Sequence, residues 1–381
     1  MPPARSDGAL YLDKPEQVDR FLKEISGVKE LALDTEGASF HRFLDRIYLL
    51  QLSTREHSAI IDPLPIGSPA GLGELLQSKS VEVVFHDADY DLRLLHQDYG
   101  WHVMNIFDTR IASQLLGIKS FGLAALLEQF FDVKLDKKHQ RADWSMRPLT
   151  PDMLEYAAQD TRYLLQLKDH MKGELTRRGR LHWAEEEFAK IEGTRWEAEE
   201  SMEGFLRLKG ARDLSRRELA VLREVANWRD TVAAQLDRAT FRVMGNEVLF
   251  ELARRAPKSV SELSAFKGMP KGMIERGGAD IVAAVRRGAE APEAELPKFP
   301  RSQRWNKDRD FDERVARLKA VRDSAATRLE LDPGVLCSRE KLENIARSGA
   351  KTIDDLASVP DLRRWQIEEM GTGFIRALES A

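Results

Sequence analysis

The stretch Leu31-Ala-Leu-Asp-Thr-Glu-Gly37 decides how this chain is read. An apolar run of β-type residues ends in two acids, Asp34 and Glu36, set two positions apart. Side chains alternate across a strand, so residues i and i+2 leave the same face. The two carboxylates therefore stand side by side. Like charges roughly 4 Å apart repel by about 4 kcal/mol at an effective dielectric near 20. A fold carries such a pair at a solvated strand end, with one member protonated, or with a cation between them.

Working outward, the front of the chain alternates strand and helix signals. The patterns predict strands over 9–12, 31–36, 46–54, 57–62 and 81–85. They predict helices over 15–26, 89–99, 109–116 and 123–131, then one long helix from Pro151 to about Arg178. Pro151 suits a first helical turn and Thr150 an N-cap. Strands followed by mixed α and β elements imply a sheet with helices on its faces.

Beyond residue 205 strand signals nearly vanish and an internal repeat begins. Arg229-Asp230 matches Arg322-Asp323, and the same gapless offset pairs Leu249 with Leu342 and Ala253 with Ala346. It also pairs Lys258-Ser-Val-Ser-Glu-Leu263 with Lys351-Thr-Ile-Asp-Asp-Leu356. Two related helical modules follow, at 205–289 and 304–381. Between them the stretch 290–303, rich in Pro, Ala and Glu, reads as a linker. The front domain is then 1–204.

With 42% apolar residues among 381, the chain can bury a sizeable core. The single Cys337 rules out an internal disulfide and fits a reducing cytoplasm. The start, Met1 to Gly8, lacks a basic segment followed by an apolar one, so no secretory signal is read, and no apolar run approaches a membrane span. Residues 1–200 carry 25 Lys and Arg against 34 Asp and Glu; the remainder carries 34 against 29. An acidic front suits a cation site, and a basic rear suits a polyanion. Ordinary surface variation produces the same asymmetry.

Two further acidic signals follow Asp34 and Glu36. The run Val83-Val-Phe-His-Asp-Ala-Asp-Tyr-Asp-Leu-Arg leads from a strand into a helix whose first turn holds Asp87, Asp89 and Asp91. Helix capping accounts for any one of these. In Tyr156-Ala-Ala-Gln-Asp160, Tyr156 and Asp160 share a helix face at i and i+4. Leu154, Ala157, Ala158, Leu164 and Leu165 line much of that helix, and an unpaired acid on its inner face costs several kcal/mol. Four carboxylates in one cleft suit two divalent cations, Mg²⁺ or Mn²⁺, which prefer oxygen ligands and accept substrate phosphate. Two such ions serve in-line phosphodiester hydrolysis.

These residues resemble a known family. Leu33-Asp-Thr-Glu36, then His86 with Asp91, then Tyr156-Ala-Ala-Gln-Asp160 look like the three motifs of the Tyr-containing branch of the DEDD exonuclease superfamily. The stretch from Leu135 to Leu149 is similar to bacterial ribonuclease D, and both rear repeats resemble HRDC modules. The resemblance implies a ribonuclease H-like mixed sheet flanked by helices, followed by two all-α HRDC-like domains. It implies a 3′→5′ exoribonuclease that releases mononucleotides. Asp34, Glu36, Asp91 and Asp160 are then the metal-holding set, with Tyr156 aligning the attacking water. The implied partners are single-stranded RNA 3′ ends and tRNA precursors, handled by a monomer in the cytoplasm.

Ahead of the long helix, Lys137, Lys138, His139, Arg141, Trp144 and Arg147 form a basic patch with an aromatic inside it. Lys and Arg grip phosphates without reading sequence, and an aromatic stacks on an unpaired base. Alternatively the patch is a charged connector whose Trp144 packs on the sheet. Phe40, His41 and Arg42, soon after Glu36, and His86 of the second motif complete the candidate nucleic-acid contacts. Arg216, Arg217, Arg238, Arg242, Lys267 and Lys271 are candidates on the first helical module, where a charge run is otherwise a solvated face. The motifs alone leave open a DNA-directed exonuclease of the same superfamily. A non-catalytic nucleic-acid-binding protein would have no need of the full acidic set.

Overall fold

A computed structural model describes residues 5–6, 8–136, 138–197, 204–299 and 310–379. Lys137, the 198–203 junction and the start of the second helical module at 304–309 lie outside the described residues. Seven strands form one mixed sheet in the order β1-β2-β5-β4-β3-β6-β7. They are β1 (Arg5–Ser6), β2 (Ala9–Leu12), β3 (Glu30–Glu36), β4 (Leu49–Ser53), β5 (Ser58–Ile61), β6 (Glu82–Phe85) and β7 (Ile106–Asp108). β3 lies at the junction, antiparallel to β4 on one side and parallel to β6 on the other.

Alternation along β3 splits it between two cores. Leu31 and Leu33 bury themselves with Val18, Phe21, Leu52 and Phe85 on one face. Ala32 turns to the opposite face, where Leu164, Leu165 and Leu167 pack, and Asp34 and Glu36 follow it by the period of two. The carboxylates thus share the face covered by the helices after Pro151.

That long helical stretch is broken. It runs Pro151–Arg162, then Leu164–Arg177, with Tyr163 between them. Thr150 caps the first part by accepting from Met153 N–H. Ala157 and Ala158 of the first part pack against Leu49 and Ile60, while Leu164 and Leu165 of the second reach Ala32 and Val84. A twisted sheet turns by some 20–25° per strand, so a straight rod of this length could not stay seated on all of them. β7 was not apparent in the sequence; only three residues long, it offers too short a run for any period to show.

The two helical modules repeat element by element. Thr240–Val243, Asn246–Arg255, Val260–Leu263 and Lys271–Ala289 recur as Pro333–Leu336, Arg339–Ser348, Ile353–Leu356 and Arg364–Glu379. The matched Arg-Asp pairs are structural: Arg229 is buried on Asp230 and Asn246, and Arg322 holds Asp323 and the Cys337 carbonyl. The linker stretch is docked where it is described. Arg216, Arg217 and Arg223 donate to backbone carbonyls between Ala289 and Leu296, which gives all three a part in docking the linker.

The second module shares its interior with the front domain. Trp365 stacks on Trp183 at 4.8 Å, and Phe311, Leu336 and Phe374 belong to the same apolar cluster as Leu127, Met171 and Phe188. Glu186 accepts from the first free N–H groups of the last helix, Arg364 (2.7 Å) and Trp365 (3.1 Å), where an anion complements the helix dipole. Among the described residues no helix is long and apolar enough to cross a membrane.

Candidate active site

Asp34, Glu36 and Asp160 each place a carboxylate oxygen within 4.8 Å of the others. The strand supplies the first two. The Pro151–Arg162 helix lies over β3 and β4 and brings Asp160 across the sheet to meet them. Asp91, from the Asp89–Tyr99 helix after β6, stands at the edge of this trio. Its Oδ1 accepts from Thr35 N–H at 3.0 Å and Thr35 Oγ1 at 2.6 Å. The β3–β6 ladder ends at Ala32, so Thr35 N–H lies beyond it, and Asp91 satisfies it.

No Lys or Arg pairs with any of the four acids among the described residues, and the electrostatics follow from that. Burial first, then the Asp160 charge, raises Asp34 well above the ordinary carboxylate range. Glu36 is raised by burial and then by Asp34, Asp160 and Asp91. Burial and Asp34 raise Asp91 against the lowering effect of the Thr35 bonds. Asp160 is pushed up to about 7 by burial and by Asp91. An all-oxygen anionic site with no protein cation to neutralise it fits hard divalent ions.

Tyr156 lies one helical turn before Asp160, with the His139 ring at 5.9 Å and the Trp144 ring at 6.0 Å. Its hydroxyl makes no hydrogen bond among the described residues. Burial and the nearby carboxylates raise its pKa, so it stays a neutral phenol. Gly37 follows Glu36 because a side chain there would overlap the Tyr90 hydroxyl, itself bonded to Asp45.

The nucleic-acid candidates divide. Phe40 (45% exposed) and Arg141 stand at the surface, with the Arg141 guanidinium 5.2 Å from the Phe40 ring centre. Lys138 is exposed and pairs with Asp152 at 3.4 Å. His41 Nε2 lies 3.0 Å from the Arg141 carbonyl, and Arg42 donates to Ser145 Oγ at 2.6 Å, so both tie the 38–45 loop to the 139–147 loop. Trp144 is 1% exposed and offers no face to a base; its ring supports Tyr156 and the Leu49–Ile60 core. Arg147 is likewise corrected from contact to scaffold. It grips the buried Asp62 with two bonds, at 2.5 and 2.8 Å, while Tyr11 donates to the same carboxylate. His86 bonds Thr109 at 2.9 Å, and burial pushes its pKa down to about 4, so it brings no charge to a phosphate. Asp87 and Asp89 pair locally with Arg110 and Arg93.

Sequence reading passed over Asp108. This buried acid accepts from Ala88, Arg110 and Ile111 N–H and so fixes the turn that aims Asp91. The Asp-Thr-Arg run opening the 109–115 helix was its only signal. Asp62 likewise could not be paired with Arg147, because 85 residues separate them. Arg147→Ala would leave the Asp62 carboxylate, 1% exposed, with Tyr11 and the Leu64 N–H but without a cation. Breaking a buried pair this way costs about 3–5 kcal/mol. Thermal melting is expected to show that loss, with turnover falling as Trp144 and Tyr156 loosen; an unchanged Tm would mean that the pair carries no load.

A mixed sheet with three converging carboxylates on one face, a fourth beside them and a tyrosine one turn away makes a site for metal-dependent phosphodiester hydrolysis. The 3′-5′ exonuclease family matches residues 10–176, and the HRDC domain family matches 218–285 and 311–378. Ribonuclease D of Nitrobacter hamburgensis is 30% identical over 344 residues, spanning 90% of this chain and 87% of that protein. An exosome complex component 10 homolog of Caenorhabditis elegans is 31% identical over 302 residues, 78% of this chain but 34% of that protein. The crystal structure of Escherichia coli RNase D, described as an exoribonuclease involved in structured RNA processing, superposes with a TM-score of 0.73 at 25% identity, covering 97% of this chain and 98% of that one. The chain belongs to the ribonuclease D family. It is an exoribonuclease of the DEDD superfamily that uses divalent metal and binds RNA.

Proposed function

We propose that this enzyme trims 3′ ends of tRNA precursors and other stable RNAs by a two-metal-ion mechanism, as a cytoplasmic monomer. Asp34, Glu36, Asp91 and Asp160 would hold the cations. The observation that carries this reading is the uncompensated Asp34–Glu36–Asp160 trio, with its oxygens within 4.8 Å. When bound, a pair of Mg²⁺ or Mn²⁺ ions supplies Lewis-acid stabilisation of the scissile phosphate and eases deprotonation of water.

The chain's own residues do the rest. Tyr156, held neutral, orients the attacking water through its hydroxyl and does not act as base. Thr35 fixes Asp91, and Gly37 lets the chain leave Glu36 past Tyr90. Attack at phosphorus breaks the P–O3′ bond, leaves a 3′-hydroxyl on the shortened strand and releases a nucleoside 5′-monophosphate. The front domain, 1–204, carries the chemistry. The modules at 205–289 and 304–381, joined through 290–303, add weak contacts that tethering makes effective.

The test is 5′-labelled RNA with a free 3′ end, incubated with Mg²⁺, with Mn²⁺ and with chelator. Stepwise shortening that needs metal is expected, faster on a 3′-extended tRNA than on mature tRNA. Shortening that ignores chelator would end the metal account. Mononucleotide release from DNA but not RNA would select the DNA-directed alternative.

A further inference from the structure

The first helical module touches the front domain at the loop that follows Glu36. Arg242 Nε donates to the Phe40 carbonyl, Ala239 N–H to the His41 carbonyl at 3.1 Å, and Asp237 pairs with Arg42 at 3.3 Å. At this seam Phe40 meets Phe241 edge to face, with ring centres 6.3 Å apart and planes at 77°. A contact serving only to glue two domains would bury its aromatics. Here Phe40 keeps 45% of its surface exposed, Phe241 52%, and the neighbouring Leu236 50%. Edge-to-face geometry spends the edge of one ring and one face of the other, and does not cover the remaining faces.

The surroundings are cationic. Arg141 lies 5.2 Å from the Phe40 ring centre and Arg242 6.0 Å from that of Phe241. A cavity of about 570 Å³ opens at the same domain seam, lined by His41, Arg42, Leu236, Arg238 and Arg242 together with Asp143 and Asp237. Its two acids, Asp143 and Asp237, are already engaged by Arg42. Arg238 has no ion-pair partner among the described residues. Half-exposed aromatic rings in a cationic surround, with Arg238 free of an ion pair among the described residues, match unpaired nucleic acid, whose bases stack on rings while phosphates meet cations.

We propose that Phe40 and Phe241 form a composite stacking platform, split between the catalytic domain and the first helical module, for unpaired ribonucleotides just upstream of the 3′ terminus. This rests on the exoribonuclease reading of the acidic cleft. Phe40 lies four residues beyond Glu36, so their Cα atoms are at most about 14 Å apart. At roughly 3.4 Å per stacked nucleotide, that limit puts Phe40 within about four bases of the end, and Phe241, 6.3 Å farther between ring centres, within about six. Stacking tolerates any base, as an enzyme that must pass every sequence requires. A base in a duplex cannot offer its face, so the platform also sets a minimum length of free 3′ tail.

The test uses Phe241→Ala and Phe241→Tyr in the full chain. Dissociation constants for a ribo-decamer are measured by fluorescence anisotropy in chelator, and turnover of the decamer and of a ribo-dinucleotide with metal. Losing one stacking contact is expected to weaken decamer binding and raise its KM on the order of tenfold, with kcat nearly unchanged. The dinucleotide, too short to reach the platform, is unaffected, and Phe241→Tyr behaves as wild type. An abasic residue at one of positions two to about six weakens wild type but weakens Phe241→Ala no further. Unchanged decamer affinity in Phe241→Ala, or an equal loss on the dinucleotide, would overturn the platform. A wild-type chain that binds the decamer through Phe241 yet never shortens it would instead sink the exoribonuclease reading and leave the platform standing.

Discussion

Asp34→Asn is expected to lower RNA turnover by at least about 10³-fold while making the metal-free protein more resistant to heat above neutral pH. Both effects come from one cause. Asp34, Glu36, Asp91 and Asp160 are all raised in the folded chain, so the folded state binds more protons than the unfolded one between the ordinary carboxylate range and the raised values. Unfolding free energy then falls as pH rises through that window, which for Asp160 extends to about 7. Removing the Asp34 charge relieves Glu36 and Asp91, on both of which it acts directly. Melting at pH 8 in chelator should therefore give a higher Tm for the variant than for wild type. Adding Mg²⁺ or Mn²⁺ should stabilise wild type strongly and the variant little. A variant that keeps the wild-type response to metal would remove Asp34 from the cation site.

Tyr156→Phe is the second large effect, and it separates position from shape. The hydroxyl has no hydrogen-bond partner among the described residues, so its loss breaks no internal bond and stability should be nearly unchanged. The ring contacts with His139 and Trp144 survive in Phe. If the hydroxyl orients the attacking water, kcat falls by roughly 10²–10³-fold, the scale of one well-placed hydrogen bond in a transition state. RNA affinity measured in chelator should stay within about twofold of wild type. Because burial and the carboxylates raise the phenol pKa, the wild-type rate should show no rise through the range in which an ordinary phenol ionises. Equal losses in kcat and in affinity would make the hydroxyl a structural group.

What could be read from residues was local. A period of two in β3 puts Asp34 and Glu36 on one face, and a period near 3.6 puts Tyr156 above Asp160. The repeat in the rear half was legible because a gapless offset preserves helix starts as well as side chains. What stayed hidden depends on partners distant in the chain. Trp144 and Arg147 look in sequence like an aromatic among cations. Asp62 and the helix bearing Tyr156 convert them into scaffold. The break at Tyr163 falls in a run with no proline or glycine to announce it. Phe241 is an unremarkable aromatic until the first module sets it against Phe40.

The stacked indoles of Trp183 and Trp365, with Glu186 seated on the last helix, bear on how the molecule comes apart. Detaching the carboxyl-terminal module would tear open the nuclease's own hydrophobic wall, so the tail is a cooperative part of the catalytic body and not a removable accessory. Calorimetry should record these two regions melting in a single endotherm, and a protease cut between them should yield fragments that stay together until denaturant is added.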